Sequence, residues 1–478
     1  MLRPIPAVTA QTLSGGDVTL TAAALEMFAS RLGGQLILEG ASEYDHARRV
    51  WNGLIDKRPA AIVRCSGAAD VMESVRFARD HDLLVAVRGG GHNVAGFATC
   101  DRGLVIDLSP MQGVRVDPSR RTVRAQAGVT WGALDRETQV FGLAVPGGVV
   151  STTGIAGLTL GGGQGWLRRT YGMTCDSLLS ADVITSSGEF ISASETERAD
   201  LFWALRGGGG NFGIVTEFEY RLHPVGPLLT CAGALYPAET AAAVLSGFRD
   251  YIETAPDEVN AASTLWTVPV SELFPERLRR QDVIAINGIY AGNGQRGEQI
   301  LQPLTSFGRV ALQVVEPQRY TSLQRMFDPF FPAYQLRYYW KGLYLDSLDD
   351  PVVSALVDAF HRRASPLSML VVWAQGGALG RVGPRETAAG ARSSPFMVEI
   401  LANWREPEGT DANIAWARTV FAALSRFSQG KPNFNFPGVG ENMREFAAAA
   451  FREQYDRIAQ VKRKYDPLNL FRVNQNVT

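Results

Sequence analysis

The chain is short of lysine, of net charge and of long apolar runs, and its few cysteines are scattered. Of 478 residues, 47 are basic and 48 acidic, and only five of the basic ones are lysine. A net charge of −1 offers no basic field for nucleic acid or an anionic membrane, so neither is expected as a partner. The lysine shortage points to a GC-rich, bacterial genome rather than to a function. Cys65, Cys100, Cys175 and Cys231 show no CxxC spacing, which leaves no zinc site, no other metal site and no disulfide framework; they read as buried free thiols. Met1–Gly16 has neither the charge pattern nor the apolar core of a signal peptide, and no apolar run reaches the ~18 residues that span a bilayer. A cytoplasmic enzyme, monomer or homodimer, is the plain expectation.

What the chain has in excess is glycine, 49 residues gathered into a few clusters. Its length favours more than one domain. Helix is expected over 17–33, 69–80 and 131–141, with strands at 83–87, 104–107, 122–127, 181–185 and 214–222. From about 226 the glycine clusters thin out. Alternating stretches (282–290, 310–315, 395–404) then share the chain with helices at 240–254, 351–364 and 413–425. This predicts an α+β protein whose second part is an antiparallel sheet backed by helices. A last helix is expected over 441–464, with Phe446, Ala450, Ile458 and Val461 as its stripe, ended by Asp466-Pro467.

Four glycine elements lie within about 130 residues. They are Arg88-Gly89-Gly90-Gly91-His92-Asn93 with Gly96 just beyond, Pro146-Gly147-Gly148, Gly154–Gly165, and Arg206–Gly213. One such cluster reads as tight turns; four, one carrying a histidine, read as a cofactor cradle. In the third, Ser151, Thr152, Thr153, Gly154, Gly157, Gly161, Gly162, Gly163 and Gly165 offer hydroxyls and bare amides suited to a pyrophosphate. Gly208–Gly213 satisfies GxGxxG but follows a helix and precedes a strand. That is the reverse of a dinucleotide fingerprint, so nicotinamide binding by that route is not expected.

The first element, the run 161–176, the run 206–216 and the tail Asp466–Asn476 together resemble the berberine-bridge-enzyme-like flavin oxidases. These belong to the vanillyl-alcohol-oxidase and p-cresol-methylhydroxylase superfamily. The resemblance runs in order along nearly the whole chain. It implies a two-part FAD-binding domain of the p-cresol-methylhydroxylase type (1–225, core about 55–225, completed by 431–478) around a substrate domain (226–430). It places the covalent flavin attachment at His92, where a neutral imidazole is a competent nucleophile. Val150 stands where many relatives carry a second, cysteinyl attachment. One covalent link is therefore implied, as in the branch that includes 6-hydroxynicotine oxidase and some bacterial natural-product oxidases. Gly213, Ile214, Val215, Asn474 and Asn476 complete the implied cofactor contacts.

Asn433-Phe434-Asn435-Phe436 occupies the place of the relatives' Tyr-x-Asn-Tyr, so the usual phenolic base is missing. The alternation of 396–404 puts Met397, Glu399, Leu401 and Asn403 on one strand face. Glu399 is the candidate base, with a buried arginine-paired glutamate as the alternative; Asn435 is the candidate assistant. Tyr338, Trp340 and Trp373 are candidate pocket walls or simple core, and Tyr171 either reaches the flavin edge or packs behind it. The implied reaction is oxidation of a small organic or natural-product substrate, with dioxygen reduced to peroxide. A dehydrogenase with another acceptor, a flavin-dependent cyclase or oxygenase, and a catalytically silent FAD-binding protein share these motifs.

Overall fold

Three sheets carry the architecture in the computed structural model, which describes residues 5–478 apart from Asn293, Gln429 and Gly430. The first four residues of the N-terminal segment and the expected 430/431 junction lie outside the described residues. The first sheet holds β1 (Gln35–Leu38), β2 (Ala61–Arg64), β3 (Val85–Arg88) and β4 (Leu104–Asp107), in the order β1-β2-β4-β3. Strands β2, β4 and β3 run parallel, and β1 pairs antiparallel with β2. The second is antiparallel, built from β5 (Val114–Asp117), β6 (Thr122–Gln126), β7 (Leu178–Ile184), β8 (Phe190–Ser194) and β9 (Ile214–Arg221), in the order β8-β7-β9-β6-β5.

The third sheet has seven antiparallel strands. They are β10 (Leu228–Pro237), β11 (Val259–Thr267), β12 (Asp282–Tyr290), β13 (Leu312–Arg319), β14 (Arg337–Leu345), β15 (Met369–Ala374) and β16 (Phe396–Trp404). Their order is β13-β10-β12-β11-β15-β16-β14. Period-two alternation splits it into two apolar faces. Val398, Ile400 and Ala402 join Val372, Leu343 and the helices Ala241–Thr254, Asp350–His361 and Thr410–Ser425 in one core. Met397 and Leu401 point the other way, onto Trp51, Val94, Val150 and Trp166 from the glycine-rich half. The sheet thus has helices behind it and the glycine loops before it.

The expected helix over 69–80 is present as Ala68–Asp80, with Val71, Val75 and Ala78 fully buried. Two expectations need correction. The segment 17–33 is not one helix: Asp17–Leu20 pairs with Val8–Gln11, and only Ala22–Ser30 is helical. The Thr21 hydroxyl accepts from Ala24 N at 3.2 Å and starts that helix. The last helix is two, Met443–Phe451 and Tyr455–Tyr465, separated by a turn in which Arg452 has φ +47°. The turn leaves Phe451 against Phe434, with ring centroids 4.8 Å apart. After it, the tail is tied down. Buried Asp466 accepts from Lys462 Nζ (2.7 Å), Leu470 N (2.8 Å) and Phe471 N (2.9 Å). Asn211 then accepts from Val477 N at 3.2 Å, which docks the tail on the fourth glycine element. That element does run from helix Ala199–Leu205 into β9. All four cysteines are buried and free. Among the described residues no helix is long and apolar enough to cross a membrane.

One buried acid joins the two halves. Asp135, on helix Trp131–Gln139, accepts from Gln324 Nε2 at 3.0 Å, and burial pushes its carboxyl up to about 7. Its other oxygen, Gln324 Oε1 and Tyr320 Oη are buried without partners. Between about pH 4 and 7 the folded chain holds a proton that the unfolded chain has released, so stability falls as pH rises through that window. Asp135→Asn is expected to remove roughly 2–4 kcal/mol of this cost above neutrality. The check is thermal unfolding at pH 5 and pH 8. The variant should gain on wild type by several degrees more at pH 8, and an equal difference at both pH values would refute the assignment.

Candidate active site

The four glycine elements converge because their backbones touch. A Cβ on Gly90 would sit 2.3 Å from Gly154 N, and one on Gly165 would sit 1.5 Å from Gly147 O. Gly209 N donates to Leu160 O at 2.8 Å, which brings in the fourth element. Gly91, Gly96, Gly162 and Gly163 adopt positive φ in the turns between these contacts. Gly89 packs on Ala127 O, and Asn93 Oδ1 accepts from Phe97 N at 3.2 Å.

His92 emerges from this crossing half-buried. Its Nε2 lies 2.9 Å from Thr152 Oγ1 and its Nδ1 3.3 Å from Thr153 Oγ1. The ring stacks on Trp51 at 4.9 Å, and Trp51 stacks on Tyr338 at 3.9 Å with Trp340 edge-on. Burial drives the His92 pKa down to about 3, so the imidazole is neutral across the physiological range. Ser151 is held by Asp328, which accepts from its N (2.8 Å) and Oγ (2.6 Å). Val150 is buried in the core shared by the two halves.

Beyond the glycines lies a cavity lined by Gly161, Gly163, Arg168, Tyr344, Trp373, Met397, Glu399 and Asn435, among others. Glu399 is the one carboxylate among its described lining residues. Its cross-strand neighbours on β14 and β15 are Gly342 and Val371, too small to cover it. Burial pushes the Glu399 carboxyl up to about 7; the Trp373 side chain and the Arg168 charge pull it partly back. Asn435 Nδ2 donates to Gly161 O at 3.1 Å, fixing the amide over the glycine run.

Several expected site residues stand elsewhere. Tyr171 donates to Pro224 O (2.9 Å) and stacks on His223, outside the cavity lining. Tyr338 and Trp340 brace His92 through Trp51 rather than lining the cavity, and Leu401 is core. Asn403 is spent on structure, accepting from Trp340 Nε1 at 2.7 Å and donating to Leu367 O at 3.0 Å. The Arg88 guanidinium is committed to Asp107 (2.8 Å) and Arg49 O (3.0 Å), a strut across the β3–β4 pair. Pro146 O accepts from Thr174 Oγ1 (2.7 Å) and Gly148 O from Gln324 Nε2 (3.1 Å). Gly213 leads into β9, where Ile214 and Val215 pair with Ile184 and Val183.

Sequence reasoning missed Arg168, Gln164 and Tyr344. Period-two alternation from Tyr338 through Trp340 reaches Tyr344 and could have found it. Arg168-Arg169 reads as surface charge, and nothing in the pattern marks either as buried. Gln375 donates to Gln164 Oε1 (2.9 Å) and Gln164 to the Tyr344 hydroxyl (3.2 Å), so the cavity does hold a phenol, from a different strand.

The residues fit an FAD. Two glycine loops lie back to back, and a Cβ on exposed Gly157 would meet nothing within 4 Å. The Asn474 and Asn476 side-chain carbonyls are buried without partners near the docked tail. Comparison with known proteins agrees. Residues 59–194 match the model of an FAD binding domain, and 432–478 match "Berberine and berberine like". The chain is 31% identical to (R)-6-hydroxynicotine oxidase of Paenarthrobacter nicotinovorans, over 93% of this chain and 96% of that protein. It is 28% identical to an FAD-linked oxidoreductase of Dictyostelium discoideum, over 94% and 96% of the two chains. The crystal structure of 6-hydroxy-D-nicotine oxidase from Arthrobacter nicotinovorans superposes with TM-score 0.84 at 28% identity, covering 94% of this chain and 98% of that one. A chitooligosaccharide oxidase shares the fold, with TM-score 0.83 at 22% identity, covering 95% of this chain and 99% of that one.

Proposed function

Because the chain belongs to the berberine-bridge-enzyme-like FAD-linked oxidases of the vanillyl-alcohol-oxidase superfamily, we propose that it oxidises a small organic substrate at a C–H bond next to oxygen or nitrogen. The observation that carries this reading is Glu399, a lone carboxylate with a pKa near neutrality in the wall of a cavity bounded by the glycine loops. FAD, when bound, supplies a two-electron acceptor that passes the electrons to dioxygen as peroxide. Residues 1–225 with 431–478 form the domain that holds it, and 226–430 form the substrate domain, whose cavity Arg168 and Asn435 also border.

His92 is the residue that ties the cofactor to the chain, with Thr152 and Thr153 setting the ring's orientation. Val150 leaves no second attachment. Glu399 takes the proton of the substrate's hydroxyl or ammonium group as the neighbouring C–H leaves as hydride, so one proton and two electrons are accounted for. Trp373 and Met397 exclude water from that carboxylate, and Asn435 holds the glycine run in place.

The test is a visible spectrum before and after acid precipitation. Yellow colour is expected to stay with the wild-type pellet and to leave with the supernatant for His92→Ala, a complete change of partition. Flavin released from the wild type would sink the covalent link, and protein unable to take up FAD would sink the whole reading. Peroxide formed in air but not under argon, on a screened alcohol or amine, separates oxidase from dehydrogenase.

A further inference from the structure

Four arginines are buried among the described residues, and three of them meet their main partners within the protein. Arg88 pairs with Asp107, and Arg392 with Asp176 at 2.7 Å, its Nε alone being left without a partner. Arg169 donates to the carbonyls of Val259, Gln375 and Ala255. Arg168 differs from the other three in lining the cavity. Only 2% of it is exposed, and its Nε donates to Gly165 O at 2.8 Å, but its Nη1 is buried with no partner. It belongs to no ion pair among the described residues, whereas Glu399 shares its cavity at Coulombic range without contact. Its guanidinium carbon lies 4.0 Å from the centroid of the Trp373 ring, a cation–π contact.

A buried guanidinium nitrogen left without an acceptor is costly, and a planar anionic oxygen pair is the ligand the fork matches best. The geometry points to Arg168 as the substrate-anchoring residue, taking a carboxylate or an equivalent delocalised anionic oxygen, so that the substrate is a small hydroxy or amino acid. This rests on the oxidase reading for the role of Glu399, which lines the same cavity and meets the substrate's ionisable X–H. A cation and a carboxylate lining one cavity select a molecule with an anionic head and a proton to lose. They also disfavour the uncharged sugars and simple alcohols that lack such a head.

The test is calorimetric titration of the purified holoenzyme with acetate, benzoate and 1-naphthoate, each against its neutral amide. Wild type is expected to prefer at least one carboxylate over its amide by about 10- to 100-fold. Arg168→Met should lose that preference with amide binding unchanged, and Arg168→Lys should keep part of it, since the charge stays and the fork goes. No preference in wild type for any of the three pairs overturns the proposal. So does a folded Arg168→Met protein that still prefers the acid. Should Arg168→Met not fold, an undiminished preference in Arg168→Lys counts against the fork, and the wild-type comparison decides for the anion. Flavin content, read from the spectrum of the same samples, reports separately on the oxidase reading, because carboxylate binding is measured by heat and not by turnover.

Discussion

Glu399→Gln is expected to lower kcat by about 10²- to 10³-fold while leaving FAD content unchanged, the usual loss for a general base. The amide keeps the size of the carboxylic acid and its fit between Gly342 and Val371, so a packing explanation is removed. In wild type, kcat/KM should rise with pH and level off above an apparent pKa near 7, because only the ionised carboxylate accepts a proton. The variant should lose that limb and show a low, flat profile. Stability moves in the opposite sense. The folded carboxyl is protonated over a range in which the unfolded one has ionised, so wild-type stability falls as pH rises from about 4 to 7. The Gln variant should therefore be at least as stable as wild type at pH 8 although it is nearly inactive. An active variant with the wild-type pH limb would move the base elsewhere, and Tyr344, bound to Gln164 in the same cavity, would be the next group to replace.

The fold was legible wherever period and punctuation agree. Helix Ala68–Asp80 and strands β4 and β12 fall at or within one residue of their expected bounds, because their apolar spacing admits one period only. Asp17–Leu20 misled because Val18 stands at helical spacing from Ala22 and Leu25 as well as on a strand face with Leu20, and the pairing with Val8–Gln11 decides. Ala447–Ala450 contains no glycine or proline, so nothing local marks the break at Arg452, which goes with the packing of Phe451 on the distant ring of Phe434. The site was read in the same uneven way. Glycine clusters announce close backbone contacts, and alternation placed Met397, Glu399, Leu401 and Asn403 on one face, but alternation does not say how far along a face the cavity extends. Leu401 and Asn403 lie beyond its end, where Trp340 and Leu367 occupy the Asn403 amide. Arg168 was illegible because charge patterning alone assigns an arginine pair to the surface; its burial depends on a sheet from another part of the chain.

The second large effect concerns the glycine crossing itself, and two substitutions separate its parts. Gly165→Ala would put a methyl 1.5 Å from Gly147 O and 2.7 Å from its carbonyl carbon, contacts that only backbone movement can relieve. Moving Gly147 shifts Gly148, whose carbonyl accepts from Gln324, and moving Gly165 shifts the carbonyl that receives Arg168 Nε. Both halves of the protein are then disturbed, and a loss of more than about 4 kcal/mol is expected, seen as insoluble or flavin-free protein. Gly157→Ala makes the opposite case. It lies within helix Ile155–Leu160 with no atom within 4 Å of the added methyl, so the folded chain should gain up to about 1 kcal/mol in helix propensity. Its methyl would stand in the space left open beside the His92 loop, where an FAD would approach the backbone. Unchanged or raised thermal stability of the apoprotein, together with at least tenfold weaker FAD uptake, is the expected pair of results. Full flavin occupancy in Gly157→Ala would mean that the open space at this helix is not where the cofactor lies, and the cradle would have to be sought along the docked tail at Asn474 and Asn476.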